Sequence, residues 1–69
     1  MNYKNIETHE RYVFQMPGNQ GTREVTVIDT EILPYSTRVT GWTVQVRDSK
    51  TEFFVPIHHA RKFIKKVVK

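Results

Sequence analysis

Residues 42–55 read W-T-V-Q-V-R-D-S-K-T-E-F-F-V, two alternating runs about a polar centre at Ser49-Lys50. Alternation of apolar and polar side chains is the period of a strand with one buried face, and two such runs about a short turn make an antiparallel hairpin. With Ser49 and Lys50 as the turn, Asp48 faces Thr51, Arg47 faces Glu52, Val46 faces Phe53, Gln45 faces Phe54 and Val44 faces Val55. Trp42, Val44, Val46, Phe53 and Val55 then share a core face. On the other face Arg47 opposes Glu52, a pair worth on the order of 0.2–1 kcal/mol, and Phe54 points away from the core. The turn has neither Asn-Gly nor Asp-Gly, so a slightly longer loop is the alternative.

Upstream, Tyr12, Phe14 and Met16 alternate with Val13 and Gln15 as a first strand, and residues 1–8 form a polar lead-in that only Tyr3 and Ile6 can dock. Pro17-Gly18-Asn19-Gln20-Gly21 breaks that strand with strong turn formers. No Gly-Lys-Ser/Thr follows, so the loop lacks the phosphate-cradling motif. Arg23 to Leu33 is a long β-branched run in which Val25 and Val27 share one face and Ile28 and Ile32 the other. The change of phase near position 28 predicts a bulge or a sharp bend. Pro34-Tyr35-Ser36 ends this strand, and Gly41, where Val39 falls out of phase with Trp42, predicts a second bend. The expected core is the hairpin face joined by Phe14, Val25 or Ile28, and Ile64.

Downstream, P-I-H-H-A-R-K-F-I-K-K-V-V-K closes the chain at residues 56–69. At 100° per residue Ile57, Ala60, Phe63, Ile64, Val67 and Val68 fall on one arc and every basic residue on the other. Pro56 suits a first helical position. The periodicity therefore predicts an amphipathic helical segment over about 56–67, with Ile64 docked on the sheet. Before Pro56, six Lys or Arg meet seven acids; from Pro56 onward, five cations meet none. The whole basic balance of +4 lies in this terminal element. Cations at a helix C-terminus also complement its macrodipole, which accounts for Lys65, Lys66 and Lys69 without any ligand.

Sixty-nine residues make a single domain, 1–69, small enough that burial and chain entropy nearly cancel and a homodimer is a live alternative. There is no cysteine, so neither disulfides nor thiolate metal sites support the core. No apolar run approaches the length of a membrane span and the first residues have no signal-peptide core, which points to the cytoplasm. The expected fold is mainly β: a small, strongly bent antiparallel sheet or barrel of four to five strands with a C-terminal helical segment.

The run G-W-T-V-Q-V-R-D-S-K-T-E-F-F-V-P-I-H-H-A-R-K-F-I, residues 41–64, resembles the closing half of small SH3-like barrels of the KOW and Tudor kind. In them a tight hairpin ends in Val-Pro, a one-turn helix follows, and a last short strand often completes the barrel. Here Ser49-Lys50 replaces the usual turn glycine, and the tail is more helical in pattern than a fifth strand. The resemblance implies binding to RNA or to nucleic-acid-associated complexes.

Little in the sequence suggests catalysis. Adjacent His58 and His59 splay by about 100° on a helix and would not grip one metal together, and no H-x-x-x-H pair or nucleophile elbow is present. No enzyme activity and no cofactor are expected. Two functions fit. In the first, Arg61, Lys62, Lys65, Lys66 and Lys69 neutralise DNA or RNA phosphates and release counterions, with Tyr35 and Phe54 as exposed aromatics for stacking. In the second, the chain is a protein-interaction or inhibitor module, steered by its cations to an acidic protein surface and anchored by Phe54.

Overall fold

Strand-forming alternation is realised five times. The computed structural model describes residues 2–68. Its strands are β1 (Arg11–Gln15), β2 (Thr22–Ile32), β3 (Val39–Val46), β4 (Glu52–Pro56) and β5 (Phe63–Lys66), joined in one antiparallel sheet of order β4-β3-β2-β1-β5. Short 3-10 turns cover Tyr3–Asn5 and Ile57–Lys62. Tyr12, Phe14, Val25, Val27, Trp42, Val44, Val46, Val55 and Phe63 are buried together, joined by Ile6 from the lead-in. The rings of Tyr12, Phe14 and Trp42 each meet Phe63 edge-on, with centroids 5.0–5.6 Å apart. Such aromatic pairs add about 0.5–1.5 kcal/mol beyond burial.

Two of these buried aromatics also carry a polar group. Tyr12 Oη accepts the Glu7 amide at 2.7 Å and donates to the Asn5 carbonyl at 3.2 Å, which ties the lead-in to the core. Trp42 Nε1 has no acceptor among the described residues.

Both expected irregularities are present. The β2–β3 register shifts between Val27 and Asp29 and again between Glu31 and Ile32, where the opposing residues are Gly41 and Val39. Each extra residue bends its strand; Val25, Val27, Trp42, Val44 and Val46 are buried, whereas Ile28 stays outside the core cluster and Ile32 is 53% exposed. Gly18 and Gly21, in the β1–β2 loop, both have positive φ.

The β3–β4 hairpin keeps the expected core face but not the expected pairs. Gln45 faces Glu52, Val44 faces Phe53, Thr43 faces Phe54 and Trp42 faces Val55. The register is offset by two residues, an even number, so no side chain changes face. The cause is the turn. A two-residue turn of type I′ needs positive φ at both central residues, whereas only Lys50 (φ 57°) adopts it here. Four residues, 47–50, therefore form the loop, with Lys50 N donating to Val46 O and Val46 N to Thr51 O, both at 2.8 Å. Arg47 is carried away from Glu52 and bonds Glu24 instead.

The C-terminal segment corrects the helical expectation in its second half. Helical turn runs from Ile57 to Lys62, and Phe63–Lys66 is strand. A helix through residue 67 would bury the apolar arc but leave one edge of β1 without partners; as a strand the segment satisfies those backbone groups. Tyr12 faces Lys66, Val13 faces Lys65 and Phe14 faces Phe63, and Val67 N donates to Arg11 O at 2.9 Å. Between Lys65 and Phe63, Ile64 is the bulged residue, so it does not dock and remains 48% exposed. Phe63 takes the core position expected of Ile64.

Candidate nucleic-acid interface

Pro56 and the 3-10 turn after it carry the chain from one edge of the sheet to the other. The turn packs against β3 and β4 on one side and against the Tyr3–Asn5 turn on another. His59 and Lys62 then meet Phe53, Phe54, Pro56 and Pro17 in an open groove of about 260 Å³. Its floor is apolar, and its cation comes from the turn.

Phe54 stands on the outer face of β4, as expected, and is 50% exposed. Its ring lies over Gly41 on β3, where an added Cβ would collide with the ring and with the Val55 carbonyl oxygen. Gly41 therefore serves the outer face as well as the bend: it lets an aromatic ring lie flat on the sheet beside the groove.

Of the five cations expected to form one face, the structure brings together fewer. Lys62 is half-buried in the groove wall and Arg61 is exposed next to it. Lys65 and Lys66 are exposed on β5, where consecutive side chains leave on opposite faces. Lys66 Nζ lies 3.8 Å from Glu10 Oε2. Arg61, Lys62 and Lys65 have no carboxylate partner among the described residues. Lys69 lies outside the described residues. Tyr35 is fully exposed but sits at the far tip of the β2–β3 hairpin, away from Phe54.

Helical spacing sets His59 on the polar arc, solvated or in contact with an anionic ligand, and the structure makes it part of the groove lining. Lys4 is exposed in the Tyr3–Asn5 turn, an element packed against the Ile57–Lys62 turn, and is not among the residues lining the groove.

The histidines do not splay. His59 departs from helical geometry (φ −99°, ψ 15°), which brings its ring to 4.2 Å from that of His58, edge to face. Loss of hydration, chiefly, and then the charges of His58, Lys62 and Arg61 push the His59 pKa below its ordinary 6.5. A cationic imidazole is thus disfavoured at this position. Among the described residues no group of three or more His, Cys, Asp or Glu could hold a metal ion, and no helix is long and apolar enough to cross a membrane. Compared with known proteins, the chain matches no family model, no curated protein sequence and no solved structure.

Proposed function

We propose that the chain is a small, non-catalytic nucleic-acid-binding module that works in the cytoplasm through the Phe54–Lys62 groove. One observation carries this reading. A half-exposed aromatic ring lies on the same groove as Lys62, beside Arg61, and neither cation is compensated by a carboxylate among the described residues. A base can stack on Phe54 while its flanking phosphates meet Arg61 and Lys62, an arrangement that suits single strands because every base has a π-face. Lys65 extends the cationic track along β5.

The resemblance to SH3-like barrels of the KOW and Tudor kind points the same way. The sheet order β4-β3-β2-β1-β5, with a short 3-10 turn ahead of the last strand, supports that reading of the fold.

The test is fluorescence anisotropy with labelled single-stranded and duplex DNA and RNA across a salt series. Replacing Arg61, Lys62 and Lys65 with glutamine should weaken binding to specific and random sequences alike and flatten the slope of log K against log salt by up to about 2–3 units. Binding with an unchanged slope would remove these cations from the interface. No binding by the native chain at low salt would leave the protein-interaction reading, which the exposed apolar tip of the β2–β3 hairpin favours independently.

A further inference from the structure

At the end of the β2–β3 hairpin, Ile32, Leu33 and Tyr35 are all exposed, Tyr35 to the full extent of a free side chain (101%). These residues sit on a shaped loop. Leu33 N donates to Arg38 O at 3.1 Å, Ser36 N to Leu33 O at 3.2 Å and Arg38 N to Ser36 Oγ at 3.1 Å, while Pro34 restricts the backbone between them. The projection leaves Tyr35 wholly free and about half of Ile32 and Leu33 exposed.

Its surroundings narrow the occupant. Asp29 and Glu31 stand at its base and Arg38 is its only cation, so phosphate-rich ligands and anionic bilayers are poorly matched. The three apolar side chains offer on the order of 400 Å², about half of the roughly 800 Å² per partner that a stable interface buries. Tip against tip is therefore too small. The Phe54–Lys62 groove is the complement on the same chain: concave where the tip is convex, apolar on its floor, and flanked by Lys62 and Arg61 where the tip is flanked by carboxylates.

We propose that the β2–β3 tip docks into the groove of a second copy of this chain. Tyr35 enters against Phe54, Phe53 and Pro17 of the copy, and Asp29 and Glu31 approach its Arg61 and Lys62. When the exchange is reciprocal, the two protomers make two such contacts, as a closed twofold dimer requires. The dimer occupies the surface read above as the nucleic-acid site, so the two states exclude each other. The inference does not rest on that reading, because it is tested with no nucleic acid present.

Sedimentation equilibrium at low salt, from about 10 μM to about 1 mM, detects an association as weak as a millimolar one. The native chain should form a concentration-dependent dimer. Tyr35→Ser should weaken it at least tenfold while leaving the monomer's melt unchanged, since that side chain is fully exposed. Lys62→Glu should weaken it as well, and adding Asp29→Lys to the same chain should restore association. A native chain that stays monomeric across the range would overturn the proposal, as would a Tyr35→Ser dimer as tight as the native one. Weakening by Tyr35→Ser with no response to Lys62→Glu would overturn the groove as the docking site.

Discussion

Strands β1–β3 and the segment 57–66 carry charge in opposite ways. On the strands and the 47–50 loop that follows β3, Glu24 sits between Arg11 and Arg47 at 3.5 and 2.6 Å, and Asp48 lies 3.6 Å from Arg23. In 57–66, the four cations Arg61, Lys62, Lys65 and Lys66 meet a single carboxylate among the described residues, Glu10. Strand pairing brings Glu24 on β2 beside Arg11 on β1, and the 47–50 loop folds back to set Arg47 beside Glu24 and Asp48 beside Arg23. The 3-10 turn has no strand neighbour, and β5 pairs on one side only, so its charges face water. An excess of cations in the sequence becomes a binding surface only where pairing leaves it uncompensated.

The largest effect should separate the anchor of the basic segment from its surface. Phe63→Ala removes the ring on which Tyr12, Phe14 and Trp42 converge and should cost about 3–5 kcal/mol, enough to unfold a marginal domain. Ile64→Asp, at the exposed bulge next to it, should leave a cooperative melt; global unfolding by Ile64→Asp would revive the helical alternative for this segment. Next in size, Gly41→Ala should cost about 1–3 kcal/mol, because the new methyl has to push aside the Val55 backbone and the Phe54 ring. A neutral result by thermal melt would mean that Phe54 does not lie over β3.

Charge removal should then divide the two regions. The Arg61, Lys62 and Lys65 to glutamine triple variant should melt within about 0–1 kcal/mol of the native chain, since exposed charges add little to stability. Glu24→Gln should lower stability instead, by stranding Arg11 and Arg47. The Glu24 carboxyl is held below its ordinary 4.5, first by the hydrogen bond from Arg47. Its contribution is present above the unfolded value and is lost as pH falls through the folded one, so the variant should show a shallower acid limb in a melt-versus-pH series.

The smallest expected effect belongs to His59. Its lowered pKa means that the unfolded chain takes up the proton first, so stability is full above about 6.5 and declines as pH falls towards the folded value. The native melting temperature should drop between about pH 7.5 and 5.5, and His59→Gln should flatten that drop. An unaltered slope in the variant would place the titration elsewhere.

Much of the sheet is legible in the chain because the strand period survives local errors. An even slip in the Trp42–Val55 hairpin misassigned every pair yet moved no side chain to the wrong face. Residues 57–68 were less legible. Their spacing fits a helix, but β-branched Ile64, Val67 and Val68 are also good strand residues, and the open edge of β1 decides between them. The candidate site shows the same division. Phe54, Arg61 and Lys62 could be picked out from pattern and charge, whereas His59 joins the groove only through the packing of its 3-10 turn against the sheet.

Alternation, turn formers and phase changes in the sequence by themselves determined the mainly β class, the core face of the hairpin, the bulge or bend near position 28 and the bend at Gly41. Each of these depends on neighbours a few residues away, which the chain carries in its own order. Tertiary structure alone decided which residues pair across the hairpin, that Phe63 and not Ile64 enters the core, and which cations remain uncompensated. Those outcomes depend on backbone groups and carboxylates brought in from distant strands, and only the closed sheet sets them side by side.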